Sequence, residues 1–225
     1  MSPTASDSPV SEANATTASP VDDLRVVPSL EELVEELRSE FGERFVHLER
    51  MAARQPKFGT LDTPLNGEVV DALGSIDLDR LWSHQGEAIN RIRQGESTVV
   101  ATGTASGKSL CYLLPVAEAI STPMKRSTAL GIFPTKALAQ DQLRALTKFD
   151  FPGVTAATYD GDSSPEERTW VRNNANVVLT NPEMLHGGIL PTHRRWSDFL
   201  ASLDYVVVDE LHVFRGIFGL SLIHI

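Results

Sequence analysis

Cysteine is almost missing from this chain. Cys111 is the only one in 225 residues, which excludes an intrachain disulfide and a cysteine-based zinc site and fits a reducing, cytoplasmic setting. Lysine and arginine are also in deficit, 20 against 30 aspartates and glutamates, for a formal net charge of −10. A protein that coats nucleic acid by bulk electrostatics is basic, so this balance argues against simple phosphate coating and leaves room for a local grip on a strand. The imbalance sits mainly in residues 1–50, which carry 11 acidic and 4 basic side chains, leaving 19 and 16 for residues 51–225. Met1 to Pro20 has neither Lys nor Arg nor an apolar stretch, so a secretory signal has no support. No apolar run approaches the ~18 residues of a membrane span, so no membrane partner is expected.

What is present divides along the chain. Residues 1–28 are Ser, Thr, Ala, Pro and Asp with few large apolar groups, a composition that cannot offset chain entropy, and a disordered acidic tail is expected there. Residues 29–66 follow. Ser29 and Glu32 form a capping box, and Leu30, Leu33, Val34, Leu37 and Phe41 recur at helical spacing. That helix either docks a partner or packs on its own domain. The stretch Arg44 to Asn66 is broken by Pro56 and Pro64 and is expected to wrap the surface. From about Val69 the pattern alternates. Helices are expected near 68–73 and 84–94, then a strand at 97–101 and a helix from Gly107 to about Ile120. A strand Ala129–Phe133, a helix from Lys136 to about Thr147 and a strand Val154–Thr158 follow. A helix opened by Ser164, a strand Asn176–Leu179, helices Glu183–Leu190 and Arg194–Leu200, and a strand Tyr205–Val208 complete the pattern. Short apolar strands separated by helices imply an α/β fold with a mostly parallel sheet covered on both faces, and ligands at the carboxyl ends of its strands.

Two of those strand ends carry chemistry. After Ser97–Ala101 comes Thr102-Gly103-Thr104-Ala105-Ser106-Gly107-Lys108-Ser109; after Tyr205–Val208 comes Asp209-Glu210-Leu211-His212. A strand that ends in a turn of small residues and restarts as a helix aims backbone N–H groups and the positive helix end into one cavity, where phosphates bind. Lys108 is suited to bridge terminal phosphates, Ser109 to hold Mg²⁺, Asp209 to hold the metal through its water shell, and Glu210 to orient and deprotonate an attacking water. Thr102 stands where the usual form of the loop has its first glycine. Alone, such a loop is an unliganded helix start and Asp-Glu an ordinary strand end; together, in this order, they point to an ATP site.

Beyond these two elements, residues 78–219 resemble the first motor domain of superfamily 2 DExH-box DNA helicases, closest to a RecQ-related bacterial branch that includes the mitomycin-repair helicase. The resemblance rests on several motifs in order: Leu81-Trp82-Ser83-His84-Gln85, the phosphate loop continuing into Leu110-Cys111-Tyr112, Phe133-Pro134-Thr135-Lys136, Tyr159-Asp160-Gly161-Asp162, Thr180-Asn181-Pro182-Glu183, Asp209–His212 and Val213–Gly219. It implies a RecA-like ATP-binding domain over residues 67–219, with ATP and Mg²⁺ as cofactors and nucleic acid, DNA by this branch, as partner. It also implies 3′-to-5′ movement and a role in DNA repair. Gln85 is implied as the reader of adenine, since an amide both donates and accepts. Trp82 either stacks on the base or sits in the core. Pro134, Thr135, Lys136, Thr180, Asn181 and Pro182 are implied as contacts to the nucleic-acid backbone, and free N–H groups at a helix start suit that task. His212 is implied as the coupling residue; on the residues alone it is a helix-start histidine.

In this family a second RecA-like domain supplies an arginine finger, worth roughly 10³ or more in rate in related enzymes. No such domain follows Glu210 here, so weak nucleotide binding and slow turnover are expected of these 225 residues. Residues 220–225, Leu-Ser-Leu-Ile-His-Ile, depart from the family pattern and are expected to be foreign, the end of a truncated gene model. Two alternatives stay open: a nucleotide-gated binding module without turnover, and an RNA helicase of the same superfamily. Oligomeric state is not legible.

Overall fold

Continuous apolar runs four to six residues long are strands only if both of their faces are covered, and the two inner strands described below, Thr128–Ile132 and Val177–Thr180, are buried at every residue. The structure, a computed structural model, describes residues 29–52, 55–76, 78–103, 105–122 and 125–214. Residues 1–28 and 220–225, with their expected disorder and foreign origin, lie outside the described residues. The chain falls into two units that meet at Arg54–Gln55.

In the first unit, helix α1 (Leu30–Phe41) starts at Ser29 with the expected capping box: Glu32 N donates to Ser29 Oγ at 3.2 Å, and Ser29 N donates to Glu32 Oε2 at 2.7 Å. Gly42, at φ +49°, ends it. No residue of α1 is buried.

The second unit holds α2 (Gly67–Gly74), α3 (Ser83–Arg93), α4 (Ser109–Ser121), β1 (Thr128–Ile132), α5 (Lys136–Phe149), β2 (Ala156–Thr158), α6 (Pro165–Asn174), β3 (Val177–Thr180), α7 (Pro182–Met184), α8 (Ser197–Ala201) and β4 (Leu203–Val208). The four strands are all parallel, in the order β2-β3-β1-β4. Period-two alternation sorts their side chains. Ala129, Val177 and Leu179 join Ile89, Leu113, Leu114 and Leu146 in one core; Leu130, Ile132 and Val178 join Val171, Leu185, Trp196 and Phe199 in the other. Every strand runs the same way, so the turns after β1, β2, β3 and β4 share one edge of the sheet.

The segment Lys57 to Asn66, before α2, is strapped down. Gly59 N donates to Leu81 O and Ser83 N to Lys57 O, both at 2.8 Å, and the backbone passes so close that a Cβ on Gly59 would lie 2.8 Å from Trp82 O. Asn90 Nδ2 donates to Thr60 O, and Asn66 caps α2 while its own N–H donates to Glu118 Oε1. Arg93 pairs with Glu118 at 2.7 Å, both largely shielded, and joins α3 to α4.

Two elements differ from expectation. Residues 97–101 do not form a strand: Ser97, Thr98 and Val100 line a cavity of about 440 Å³ together with β4, and Val99 is 81% exposed. An apolar run needs neighbours on both sides, and among the described residues β4 is the only strand lining that cavity. Residues 183–200 are not two α-helices. After α7 come a π-helical turn, Leu185–Ile189, and a 3₁₀ stretch, Leu190–Trp196, before α8. Gly187, Gly188 and Pro191 explain it, the glycines by weak helix propensity and the proline by its missing N–H.

Candidate nucleotide and nucleic-acid site

The phosphate loop is built by local hydrogen bonds. Ala105 (φ +55°) and Gly107 (φ +75°) take left-handed conformations that turn the chain back before α4. Thr102, in place of the usual glycine, closes the loop: its Oγ1 lies 2.7 Å from Ser106 Oγ. No side chain caps α4; in its first turn Leu110 N donates to Gly107 O at 3.2 Å and Cys111 N to Lys108 O at 3.0 Å. Lys108 Nζ donates to Thr102 O at 3.2 Å and to Gly103 O at 2.9 Å, so its ammonium lies over the loop's own carbonyls. Thr104 lies outside the described residues.

Gln85 has a different local role from a free base reader. It is the third residue of α3, and its Oε1 accepts from Trp82 N at 2.8 Å, the back-bond of a capping box. Its Nε2 donates to Gly107 O at 2.9 Å, and the side chain is 1% exposed. The amide therefore clamps the loop onto α3; one N–H and one lone pair remain to it. A Cβ on Gly107 would lie 2.6 Å from Gln85 Nε2, so glycine is required there on two counts. His84 adds a contact, Nε2 to Ser106 O at 3.1 Å.

Beside the clamp, Trp82 is part-exposed, which rules out the core alternative, and its ring stacks on Phe58 (centroids 5.3 Å, 15°). Arg80 lies over the other residue of that pair, 5.1 Å from the Phe58 centroid. These groups line an open cleft of about 540 Å³ with Gln85 and the loop residues Ala105, Ser106 and Gly107. Phe58 and Arg80 carry no motif of their own. Only the Gly next to Phe58 hints at a close backbone approach.

Lys108 and Asp209 line one cavity, the 440 Å³ space along β4, together with Cys111 and Tyr112. Asp209 is held at the end of β4 by its N–H, which donates to Ile132 O at 3.0 Å, and its Oδ1 accepts from Glu210 N at 2.9 Å. Glu210 adopts φ +49° and does not line that cavity; its Oε2 faces His212 Nδ1 at 3.2 Å. The hard oxygens of Ser109 and Asp209 suit a small divalent cation that keeps most of its waters, and no group of three or more His, Cys, Asp or Glu gathers among the described residues to form a protein cage. Burial pushes the Cys111 thiol up to about 11, and this cysteine is a buried packing residue.

The two junctions expected to meet nucleic acid behave differently. Pro134 is half-buried, while Thr135, which caps α5 through Leu138 N, and Lys136 are exposed. At the second junction Thr180 is 1% exposed with its hydroxyl donating to Tyr159 O, Asn181 is buried as the cap of α7, and Pro182 is buried. Those three position the turn; the group they present to solvent is Glu183. Lys136 Nζ pairs with Asp162 Oδ2 at 2.8 Å, and a hydrogen bond to Asp162 is the chief cause that holds its pKa above the usual lysine range.

Comparison with known proteins places the chain in a family. The chain is 41% identical over 201 residues to ATP-dependent helicase HRQ1 of Saccharomyces cerevisiae, covering 86% of this chain and 18% of that protein. It is 42% identical over 194 residues to the ATP-dependent helicase YprA of Bacillus subtilis, covering 85% and 26%. Among solved structures, the DUF1998 helicase MrfA bound to DNA and AMPPNP matches with a TM-score of 0.76 and 40% identity, over 85% of this chain and 27% of that one. This chain thus spans about a quarter or less of these relatives' length. The sequence pattern of the DEAD/DEAH box helicases runs through residues 82–225. Because that pattern takes in the loop around Lys108 and the turn at Asp209 alike, the chain belongs to the DEAD/DEAH box helicase family.

Proposed function

We propose that this chain is the first motor domain of an ATP-dependent DNA helicase, which couples binding and hydrolysis of ATP to 3′-to-5′ strand movement in DNA repair. One observation carries the reading: Lys108 and Asp209, 101 positions apart in the chain, line the same cavity, which runs along β4 and takes in Asp209 just past the strand's carboxyl end. Lys108 exchanges its two carbonyl partners, Thr102 O and Gly103 O, for phosphate oxygens. Ser109 and Asp209 hold Mg²⁺, which supplies charge neutralisation on the phosphates. The cleft of Phe58, Arg80 and Trp82 receives the base beside the Gln85 clamp. Thr135 and Lys136 meet the strand's backbone. DNA is favoured over RNA by the MrfA structures, which hold DNA.

The test is the affinity of the chain for Mg²⁺ and AMPPNP. Lys108→Ala is expected to weaken it by an order of magnitude or more, as loss of a charge-assisted phosphate contact does. Unchanged affinity would refute the assignment of the loop.

One observation favours a second reading, a nucleotide-gated module without turnover: Glu210 faces His212 and not the cavity. Single-turnover hydrolysis separates the two. If a protein that also carries the second motor domain hydrolyses ATP and Glu210→Gln stops it while sparing nucleotide affinity, the motor reading stands; absence of hydrolysis with DNA present favours the module.

A further inference from the structure

β2 is the last strand on its side of the described sheet, and its outer margin is open. Val177 N donates to Thr155 O at 3.2 Å and Tyr159 N to Leu179 O at 2.8 Å, so Thr155 and Tyr159 turn these groups to β3. Peptide groups alternate in direction along a strand, and those of Ala156 and Thr158 therefore point outward, where no strand pairs with them among the described residues. A cleft of about 410 Å³ follows this margin between α5 and α6. Its two walls differ. Ala156 lies in the core that Leu143 of α5 joins, and Ala157 in the core that holds Val171 of α6. On the α6 wall Trp170 is 50% exposed, a large ring left at an open sheet edge. Three carboxylates line the cleft, Asp160, Asp162 and Glu167, and no basic side chain does. Asp162 is paired with Lys136, whereas Asp160 engages Oδ1 in its own turn and Glu167 engages Oε2 with Ser164 N, which leaves each a second oxygen.

We propose that this cleft docks an extended segment of another protein, with basic and apolar residues in alternation, laid beside β2 as an added strand. Main-chain groups of the segment pair with those of Ala156 and Thr158. Its side chains alternate between the walls. The apolar ones meet Leu143 on the α5 side; the basic ones meet the α6 side, where Trp170 offers a ring face and Glu167 a carboxylate oxygen, with Asp160 just past the strand's end. Charge selects this occupant. A nucleic-acid strand sets phosphates against carboxylates, and a second copy of the chain brings the same acidic groups to the same margin. The two ends of the chain outside the described residues lack the pattern, since residues 1–28 hold one basic side chain, Arg25, and residues 215–225 one arginine, Arg215. The docking surface is separate from the nucleotide site and does not depend on it.

The experiment follows a dye-labelled, end-blocked peptide, Gly-Val-Arg-Val-Arg-Val-Gly, by fluorescence anisotropy as the 225-residue chain is added at low salt, with amide hydrogen exchange over 156–158 measured on the mixture. The peptide is expected to bind and to slow exchange at Ala156 and Thr158. The shuffled peptide Gly-Val-Val-Arg-Arg-Val-Gly, with the same charge but its arginines on opposite faces, is expected to bind about fivefold more weakly or worse. Trp170→Ala is expected to weaken binding of the first peptide about threefold, as loss of one part-exposed cation–π contact does. Glu167→Gln, which keeps the capping box of α6, is expected to weaken it severalfold at low salt and hardly at all at high salt. Equal affinity for the two peptides overturns the proposal, because charge alone then explains the attraction. No binding, or an affinity unchanged in either variant, overturns it as well. Slowing over 156–158 that follows a single-stranded oligonucleotide, or the concentration of the chain itself, and not the peptide, gives the margin to nucleic acid or to a second copy and likewise overturns it.

Discussion

Single side chains in this domain work by holding others. Gln85 is the clearest case: one buried amide joins the start of α3 to the phosphate loop. Gln85→Ala leaves two polar groups without their partner and is expected to cost roughly 1–3 kcal/mol of stability, read by thermal or urea unfolding, and to weaken nucleotide binding as the loop loosens. Gly107→Ala adds a left-handed strain and a clash with that amide, so it is expected to lower both quantities further. Asp162 acts at the opposite end of the site. It pairs with Lys136, so a phosphate must displace a carboxylate already present. Asp162→Asn is expected to tighten binding of a single-stranded oligonucleotide severalfold at low salt, and fluorescence anisotropy over a salt series would show it. Weaker binding would mean that Asp162 orients Lys136 and does not compete for it.

At the scale of elements, the sequence revealed more about helix starts than about strands. Ser29 and Ser164 cap their helices with Glu32 and Glu167 as read, because capping is a contact between residues three apart. The run 97–101 misled because its strand character depends on neighbours and not on its own composition. The Phe58–Trp82 stack and the Tyr112–Gln142 bond join residues 24 and 30 positions apart without any repeating pattern, and no local signal announces them. The phosphate loop and the Asp209 turn were legible because each carries its chemistry in consecutive residues; that Glu210 turns toward His212 was not, since it depends on one backbone torsion.

The loop before β1 and the start of β4 are tied by Asp204, which accepts from Lys125 at 2.6 Å and Ser127 at 2.6 Å. The hydrogen bond from Lys125 is the largest cause that holds its carboxyl below the usual value of 3.8. A depressed carboxylate pKa contributes stability above the ordinary value, and that stability is lost as pH falls through the depressed one. Melting temperature is therefore expected to drop on acidification from about pH 5 to 3, and Asp204→Asn to flatten that drop by the equivalent of less than about 1 kcal/mol. A variant with the same acid profile as the wild type would place the loss elsewhere.

For the whole molecule, charge sets the terms on which a strand is met. Residues 51–225 carry 19 acidic and 16 basic side chains, and the one exposed lysine at the expected strand-facing junctions is already paired. Binding by this domain is expected to rest on few phosphates, with a slope of log affinity against log salt shallower than about 2. A steep slope would point to a basic surface elsewhere in the chain.

β4 closes one side of the described sheet, and its outer margin is covered only across a cavity. Val206 on that margin is part-exposed, and the strand's sequence, Leu-Asp-Tyr-Val-Val-Val, has a single charge. Among the described residues no strand pairs with that margin, and a row of amides without a ladder partner is a template for another chain's backbone. Purified at high concentration, these 225 residues should self-associate through that row, and a lysine in place of Val206 should keep them apart.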